Sequence, residues 1–220
     1  RVMVFLADHG VTPGLAIKIF RHYGDASIQA VRENPYRLAD DIHGVGFKTA
    51  DKIAAELGIE PVSMERVTAG IVYVLNELAT DGHVYYPEEA LIKEAAGILE
   101  VEEALVKDAI PVLEERGAIA RDMIQGETAV YLAYLCRAEA NVAKGFCALA
   151  NAKPRTVSGN IRNLMGEMER RDGIRLNDEQ REAVEKAAQS SVLVLTGGPG
   201  TGKTTTVRTM LRVFEAEGLR

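Results

Sequence analysis

The sequence predicts a mainly α-helical chain with a minor β component, an α+β protein built from several modules. Three observations carry that reading. Apolar residues recur at the spacing of an amphipathic helix over most of the chain, between glycines placed where helices stop. The first 58 residues repeat themselves at an offset of 34. Further on, a β-branched apolar run enters a glycine-rich loop that opens directly into another helical pattern.

Composition bounds the answer. With 220 residues, one or two domains are expected, and 47% hydrophobic with 26% charged residues is ordinary for a soluble globular protein. No apolar run approaches the roughly 18 residues of a membrane span, so no membrane association is expected. The first residues show no signal-peptide pattern, so no secretory leader is expected, and the start at Arg1 reads as a fragment or a processed chain. Cys136 and Cys147 lie 11 apart in a helical pattern, stacked on one face and too far apart to bond. Buried free thiols and a reducing cytoplasm are expected. The four histidines show no metal-ligand spacing, and no structural metal is expected. Charge is uneven. Residues 1–58 balance 7 basic against 7 acidic side chains, residues 59–136 carry 5 against 15, and residues 137–220 carry 14 against 10. The acidic middle is a poor surface for a phosphate backbone, which leaves the first and last thirds for nucleic acid.

In the repeat, Gly10-Val11 falls on Gly44-Val45, Ala16 on Ala50, Lys18-Ile19 on Lys52-Ile53 and Gly24 on Gly58. Two copies are too few for a solenoid and suit two units packed on each other. Each reads helix, tight glycine turn, helix. In the first, Thr12 is an N-cap, Pro13 takes the first helical position, and Leu15, Ile19, Phe20 and Tyr23 form the apolar stripe. In the second, Ile42-His43-Gly44-Val45-Gly46 is the turn, and Phe47, Ala50, Ile53, Ala54 and Leu57 form the stripe. The second unit resembles the helix-hairpin-helix motif of DNA-binding proteins. That resemblance implies that hairpin N–H groups hold a DNA phosphate without reading sequence. A glycine turn feeding a helix N-terminus is an anion site on general grounds. Gly44, Val45, Gly46 and Lys48 are therefore the DNA-binding candidates, with Gly10, Val11 and Thr12 as the weaker counterpart in the first hairpin. Lys48 sits in the first helical turn, where the dipole disfavours a cation unless an anion is bound.

The middle reads as a helix through Val67, Ile71, Leu75 and Leu78, a short strand at His83-Val84-Tyr85-Tyr86, and two helices. Leu91 and Ala95 mark the first of these, and Val101, Leu105, Ala109, Val112 and Leu113 the second. A hairpin across Gln125-Gly126, pairing 118–120 with 128–132, follows. Helices followed by a two-stranded flap look like a winged helix. The net negative charge points to a scaffold or to protein partners rather than DNA. The doublets Glu88-Glu89, Glu102-Glu103 and Glu114-Glu115 are solvated helix positions, not metal-holding pairs.

Residues from about 133 to 168 read as helical, with breaks near Lys153-Pro154 and Ser158-Gly159. The helix from Asn160 to Arg171 carries Arg162, Arg170 and Arg171. Leu176-Asn177-Asp178-Glu179-Gln180 then opens a helix, and Asn with Gln three residues on is a capping box. The next stretch, 191–196, reads as a strand. It feeds Gly197-Gly198-Pro199-Gly200-Thr201-Gly202-Lys203-Thr204, which satisfies G-x-x-x-x-G-K-[ST] in full. The glycines turn successive N–H groups inward around a phosphate, and the following helix aims its positive end at the same anion. Gly197 through Thr205, Thr205 included, form the nucleotide cradle. Lys203 reaches the β- and γ-phosphates as the candidate catalytic residue, and the Thr204 hydroxyl is the candidate Mg²⁺ ligand. Val207, Met210, Leu211 and Phe214 form the apolar stripe of the helix that follows.

Together these elements resemble the N-terminal part of RecD-like superfamily 1 DNA helicases, in the branch with a long N-terminus. The resemblance is very specific at 176–206, good at 38–58 and weak at 59–170. It implies a tandem helix-hairpin-helix bundle (1–58), an acidic winged-helix-like module (59–135), a helical linker (136–172) and the start of a RecA-like α/β domain (173–220). It further implies that Gln180 selects ATP through adenine, and that ATP with Mg²⁺ drives 5′-to-3′ movement on DNA. The Asp-Glu pair and the arginine of such sites lie beyond residue 220, so the 220-residue chain alone is expected to be inactive. Two other readings stay open: a different P-loop DNA ATPase, and a non-catalytic docking module.

Overall fold

The computed structural model describes residues 1–153 and 160–218. It is mostly helical with one small sheet, and it divides into two compact units, Arg1–Ala138 and Glu139–Arg220. Pro154, Ser158 and Gly159, where the sequence suggests breaks, lie outside the described residues.

The first unit opens with five short helices: α1 (Val2–Asp8), α2 (Pro13–Tyr23), α3 (Ser27–Glu33), α4 (Arg37–Asp41) and α5 (Phe47–Glu56). The repeat explains their packing. Val11 with Val45 and Ile19 with Ile53 enter one core, joined by Leu6, Ala16, Val31, Leu38 and Ile42. Equivalent positions of the two sequence repeats thus enter the same core, which is why two copies suffice. Thr12 stands at the N-cap of α2 in extended backbone without a side-chain cap bond, and Pro13 takes the first turn as expected. Phe20 departs from the expected stripe at 43% exposure. The helix closes through Ala16 and Ile19, and Phe20 falls about 100° round from Ile19.

A winged-helix arrangement follows. Its elements are α6 (Met64–Thr80), β1 (Tyr85–Pro87), α7 (Glu88–Leu99), α8 (Glu103–Glu115), β2 (Ile119–Ile124) and β3 (Glu127–Leu132). The sheet is antiparallel with order β1-β3-β2, so the last strand lies in the middle. The β2–β3 turn is made by Gln125 (φ 52°) and Gly126 (φ 90°), and two positive φ angles match the twist that a two-residue hairpin needs. Helices and sheet close over Ile71, Val74, Leu91, Val106, Ile110 and Val130, each at most 1% exposed. Each such side chain contributes about 1.5–3 kcal/mol by leaving water. The face that α8 buries is Val106, Ala109, Ile110 and Leu113. This corrects the stripe through Leu105 and Val112: the two sets span equal arcs of the helix, and packing against the rest of the core decides between them.

Side chains tie α5 to α6 inside this unit. Tyr36 stacks on Phe47 and Phe47 on Tyr73, at 5.8 and 5.2 Å between centroids. Asp51 accepts from Arg66 Nε at 2.9 Å and Nη2 at 3.2 Å, and from the Tyr36 hydroxyl at 2.7 Å. Arg66 Nη1 also donates to the carbonyls of Pro61 and Leu99. A bidentate, half-buried pair with further donors bonded to backbone fixes orientation as well as adding attraction.

The chain continues in α9 (Ala133–Asn151), and the second unit contains α10 (Ile161–Asp172), α11 (Asp178–Gln189) and α12 (Lys203–Ala216). Met165, Leu176, Val184, Met210 and Val213 form its core. Three expectations change here. Cys147 is exposed and Cys136 only half-buried, both free, because much of α9 past Ala133 has nothing packed on it among the described residues. Within α12 the buried face is Thr206, Thr209, Met210 and Val213, while Val207 and Leu211 are exposed. Residues 191–196 form no strand, because among the described residues no neighbour offers them a hydrogen-bond ladder.

Gly70 of α6 marks the closest helix contact. A Cβ there would stand 2.6 Å from Cδ1 and 3.0 Å from Cγ of Leu99, which is 1% exposed. Gly70→Ala should destabilise the chain by about 1–2 kcal/mol, the overpacking exceeding the roughly 1 kcal/mol that Ala gains in helix propensity. Chemical denaturation checks this, and a stabilised variant would contradict the packing described.

Candidate nucleotide and nucleic-acid sites

The phosphate loop lies between α11 and α12 in the second unit. Gly200 and Gly202 hold φ angles of 77° and 79°. Gly202 is constrained twice, since a Cβ there would also collide with Gln180 Nε2. The loop turns directly into α12 with Gly202 as N-cap and Lys203 as its first residue. The first N–H groups of a helix have no partner within it, and the dipole adds partial positive charge. Here those groups belong to Lys203, Thr204 and Thr205.

Lys203 Nζ donates to the carbonyls of Gly197 and Gly198, both at 2.6 Å. The ammonium is therefore held at the loop with a third donor to spare. The Thr201 hydroxyl donates to the Gly198 carbonyl at 2.9 Å, closing the loop on itself. Thr204 is exposed on the first turn of α12. The donor set suits a polyphosphate: successive backbone N–H groups, one ammonium and one hydroxyl. Among the described residues no cluster of three or more His, Cys, Asp or Glu could hold a metal by itself. A cation here would depend on Thr204 and on phosphate oxygens.

The capping box ahead of the loop is complete. Asn177 Oδ1 accepts from Gln180 N at 2.8 Å, and Gln180 Oε1 accepts from Asn177 N at 3.0 Å. The amide then does one thing more, since Gln180 Nε2 donates to the Thr201 carbonyl at 3.1 Å. One side chain ties the start of α11 to the middle of the phosphate loop. It keeps one N–H and one oxygen lone pair free. Sequence spacing locates Gln180 but not this bond, because the acceptor is a backbone oxygen 21 residues away.

Below Gln180 the support is ionic. Arg181 Nη2 meets both carboxylate oxygens of Glu169 at 2.8 Å, and Glu169 also accepts from Leu176 N at 2.7 Å. Arg212 of α12 pairs with Asp172 of α10. These contacts hold the three helices on which the loop is mounted.

The hairpins lie in the first unit. Gly44 has φ 90°, a region that favours glycine, and Gly46 has extended backbone before α5. Val45 is 6% exposed and its N–H donates to the Ile42 carbonyl at 3.0 Å. Its side chain and its donor are both used inside the protein. The N–H groups of Gly46, Phe47 and Lys48, at the start of α5, have no acceptor within the helix. The Lys48 ammonium lies 5.8 Å from the centre of the Tyr73 ring. In the first hairpin Val11 is 4% exposed, Gly10 N and Val11 N donate to the carbonyls of Ala7 and Leu6, and Thr12 is exposed.

Known proteins align with both ends of the chain. Residues 1–85 match the family described as the ATP-dependent RecD2 DNA helicase HHH domain, and residues 180–220 match an AAA domain. The chain is 28% identical over 229 residues to the ATP-dependent RecD2 DNA helicase of Deinococcus radiodurans, covering all of this chain and 32% of that protein. It is also 68% identical over 34 residues to the RecBCD enzyme subunit RecD of Mycobacterium tuberculosis, covering 16% of this chain and 6% of that subunit. The chain thus spans about a third of the first relative's length. The RecD-like resemblance is supported by the family match over residues 1–85 and by these relatives. No described helix is long and apolar enough to cross a membrane.

Asn177→Ala should lower stability of the chain by about 1 kcal/mol through loss of the cap, and Asn177→Gly by only a few tenths. Urea unfolding distinguishes them. Equal stability of the Ala variant and the parent would show that the Gln180 half of the box suffices.

Proposed function

We propose that this chain is the DNA-docking and nucleotide-binding portion of an ATP-driven DNA helicase that moves 5′-to-3′ on single-stranded DNA and unwinds duplexes in the cytoplasm. The observation that carries the proposal is the Gln180 amide, bonded at once to the α11 cap and to the phosphate loop. A generic P-loop ATPase needs no such element. Its presence favours the helicase reading over another DNA ATPase.

In this reading residues 173–220 begin a RecA-like domain, with 136–172 as a helical linker, 59–135 as an acidic module for protein partners and 1–58 as the DNA-docking bundle. Gly197 to Thr205 cradle the triphosphate. Gln180 spends its free N–H and lone pair on the adenine edge, a pairing an amide makes well. Lys203 leaves the Gly197 and Gly198 carbonyls for the β- and γ-phosphates, exchanging two neutral acceptors for charged ones. The Thr204 hydroxyl ligates Mg²⁺ in this reading. The bound cation would supply charge neutralisation on the phosphate oxygens. On the DNA side, the N–H groups at the mouth of α5 take a backbone phosphate, which confers affinity without sequence preference.

Unwinding of tailed duplexes by the full-length protein tests this. A 5′-tailed duplex should be opened in preference to a 3′-tailed one, and Lys203→Ala should abolish both unwinding and ATP turnover. Preference for the 3′ tail, or turnover that survives Lys203→Ala, would overturn the assignment.

A further inference from the structure

We infer that the two hairpins are unequal, and that Lys18, carried by the first repeat unit, completes the phosphate site of the second hairpin. The inference rests on the DNA-docking reading above and adds a contact residue to it.

Three differences at matching positions point the same way. The first is donor count. An offset of 34 sets Thr12, Pro13 and Gly14 against Gly46, Phe47 and Lys48. The second hairpin offers three consecutive N–H groups, whereas the first lacks the middle one, because proline has none. The second difference is the charge beside the turn. Lys18 Nζ donates to the His43 carbonyl at 3.1 Å, and a Cβ at Gly44 would lie 3.4 Å from it. At the first turn the corresponding neighbour is acidic, for a Cβ at Gly10 would lie 3.9 Å from Cγ of Glu56. The third difference is that the repeat does not impose this pattern. Lys18 has a counterpart in Lys52, but Glu56 corresponds to His22.

The ammonium of Lys18 has three donors and spends one on the His43 carbonyl. Two remain at the edge of the turn, next to Gly44 and two residues ahead of the N–H groups at the start of α5. A phosphate resting on those groups gains a counter-charge from Lys18. One at the first hairpin would face a carboxylate and find one donor fewer. The first repeat therefore serves the second hairpin, by supplying its lysine and its share of the core.

The test is the salt dependence of binding to a short duplex of arbitrary sequence by the 220-residue chain, with helicity monitored to show that each variant folds. Lys18→Gln should lower affinity roughly tenfold at low salt and make the slope of log K against log salt shallower by about 0.9, the loss of one phosphate contact. Lys52→Gln, the repeat counterpart, should leave the slope unchanged. A folded Lys18→Gln variant with the parental slope, or an equal loss from Lys52→Gln, overturns the assignment of Lys18 while the hairpin reading stands. A parent chain with no salt-dependent binding overturns both.

Discussion

A single amide organises the nucleotide end of this protein. Gln180 receives Asn177 N, donates to the Thr201 carbonyl, and lies so close to Gly202 that a side chain there would displace its amide. Among the described residues, the phosphate loop's other side-chain bonds are made within itself. Through Gln180 its middle is fixed to the start of α11, and α11 is fixed by Val184 in the core and by the Arg181–Glu169 pair. A short polar side chain can do this because the oxygen and the nitrogen of its amide each bond to a backbone group, leaving one N–H and one lone pair over.

The nucleic-acid end solves a different problem. A tight turn must present N–H groups to solvent while its flanking residues stay in a core. Val45 meets the second need by burying its side chain and tying its own N–H to Ile42. Gly44 meets the first by adopting a φ of 90°. The stack of Tyr36, Phe47 and Tyr73 and the Asp51–Arg66 pair then hold α5 against α6, so the turn is mounted on a rigid helix. Such a mount suits a contact that positions DNA rather than reads it.

Much of this was legible in the sequence because it is local or periodic. The 34-residue repeat marks the paired hairpins, and the glycine stops mark helix ends. The motif from Gly197 to Thr204 marks the phosphate loop, and Asn177 with Gln180 marks the cap. What was not legible depends on tertiary neighbours. Leu105 and Val106 are equally apolar, and only packing decides that Val106 is inside. Cys147 stands in an amphipathic pattern, yet burial needs a partner that the pattern cannot name. The run at 191–196 has strand composition, but a strand exists only where a second chain segment accepts its hydrogen bonds. The bonds from Gln180 to Thr201 and from Lys18 to His43 join residues 21 and 25 apart, beyond any spacing rule.

The central claim is that Gln180 joins base recognition to the phosphate loop. The most direct measurement is the ratio of kcat/KM for ATP to that for GTP in the full-length protein, before and after Gln180→Ala. The account predicts a parent that strongly prefers ATP and a variant whose preference collapses while its turnover also falls. A Gln180→Ala protein that keeps both its ATP preference and its turnover would contradict it.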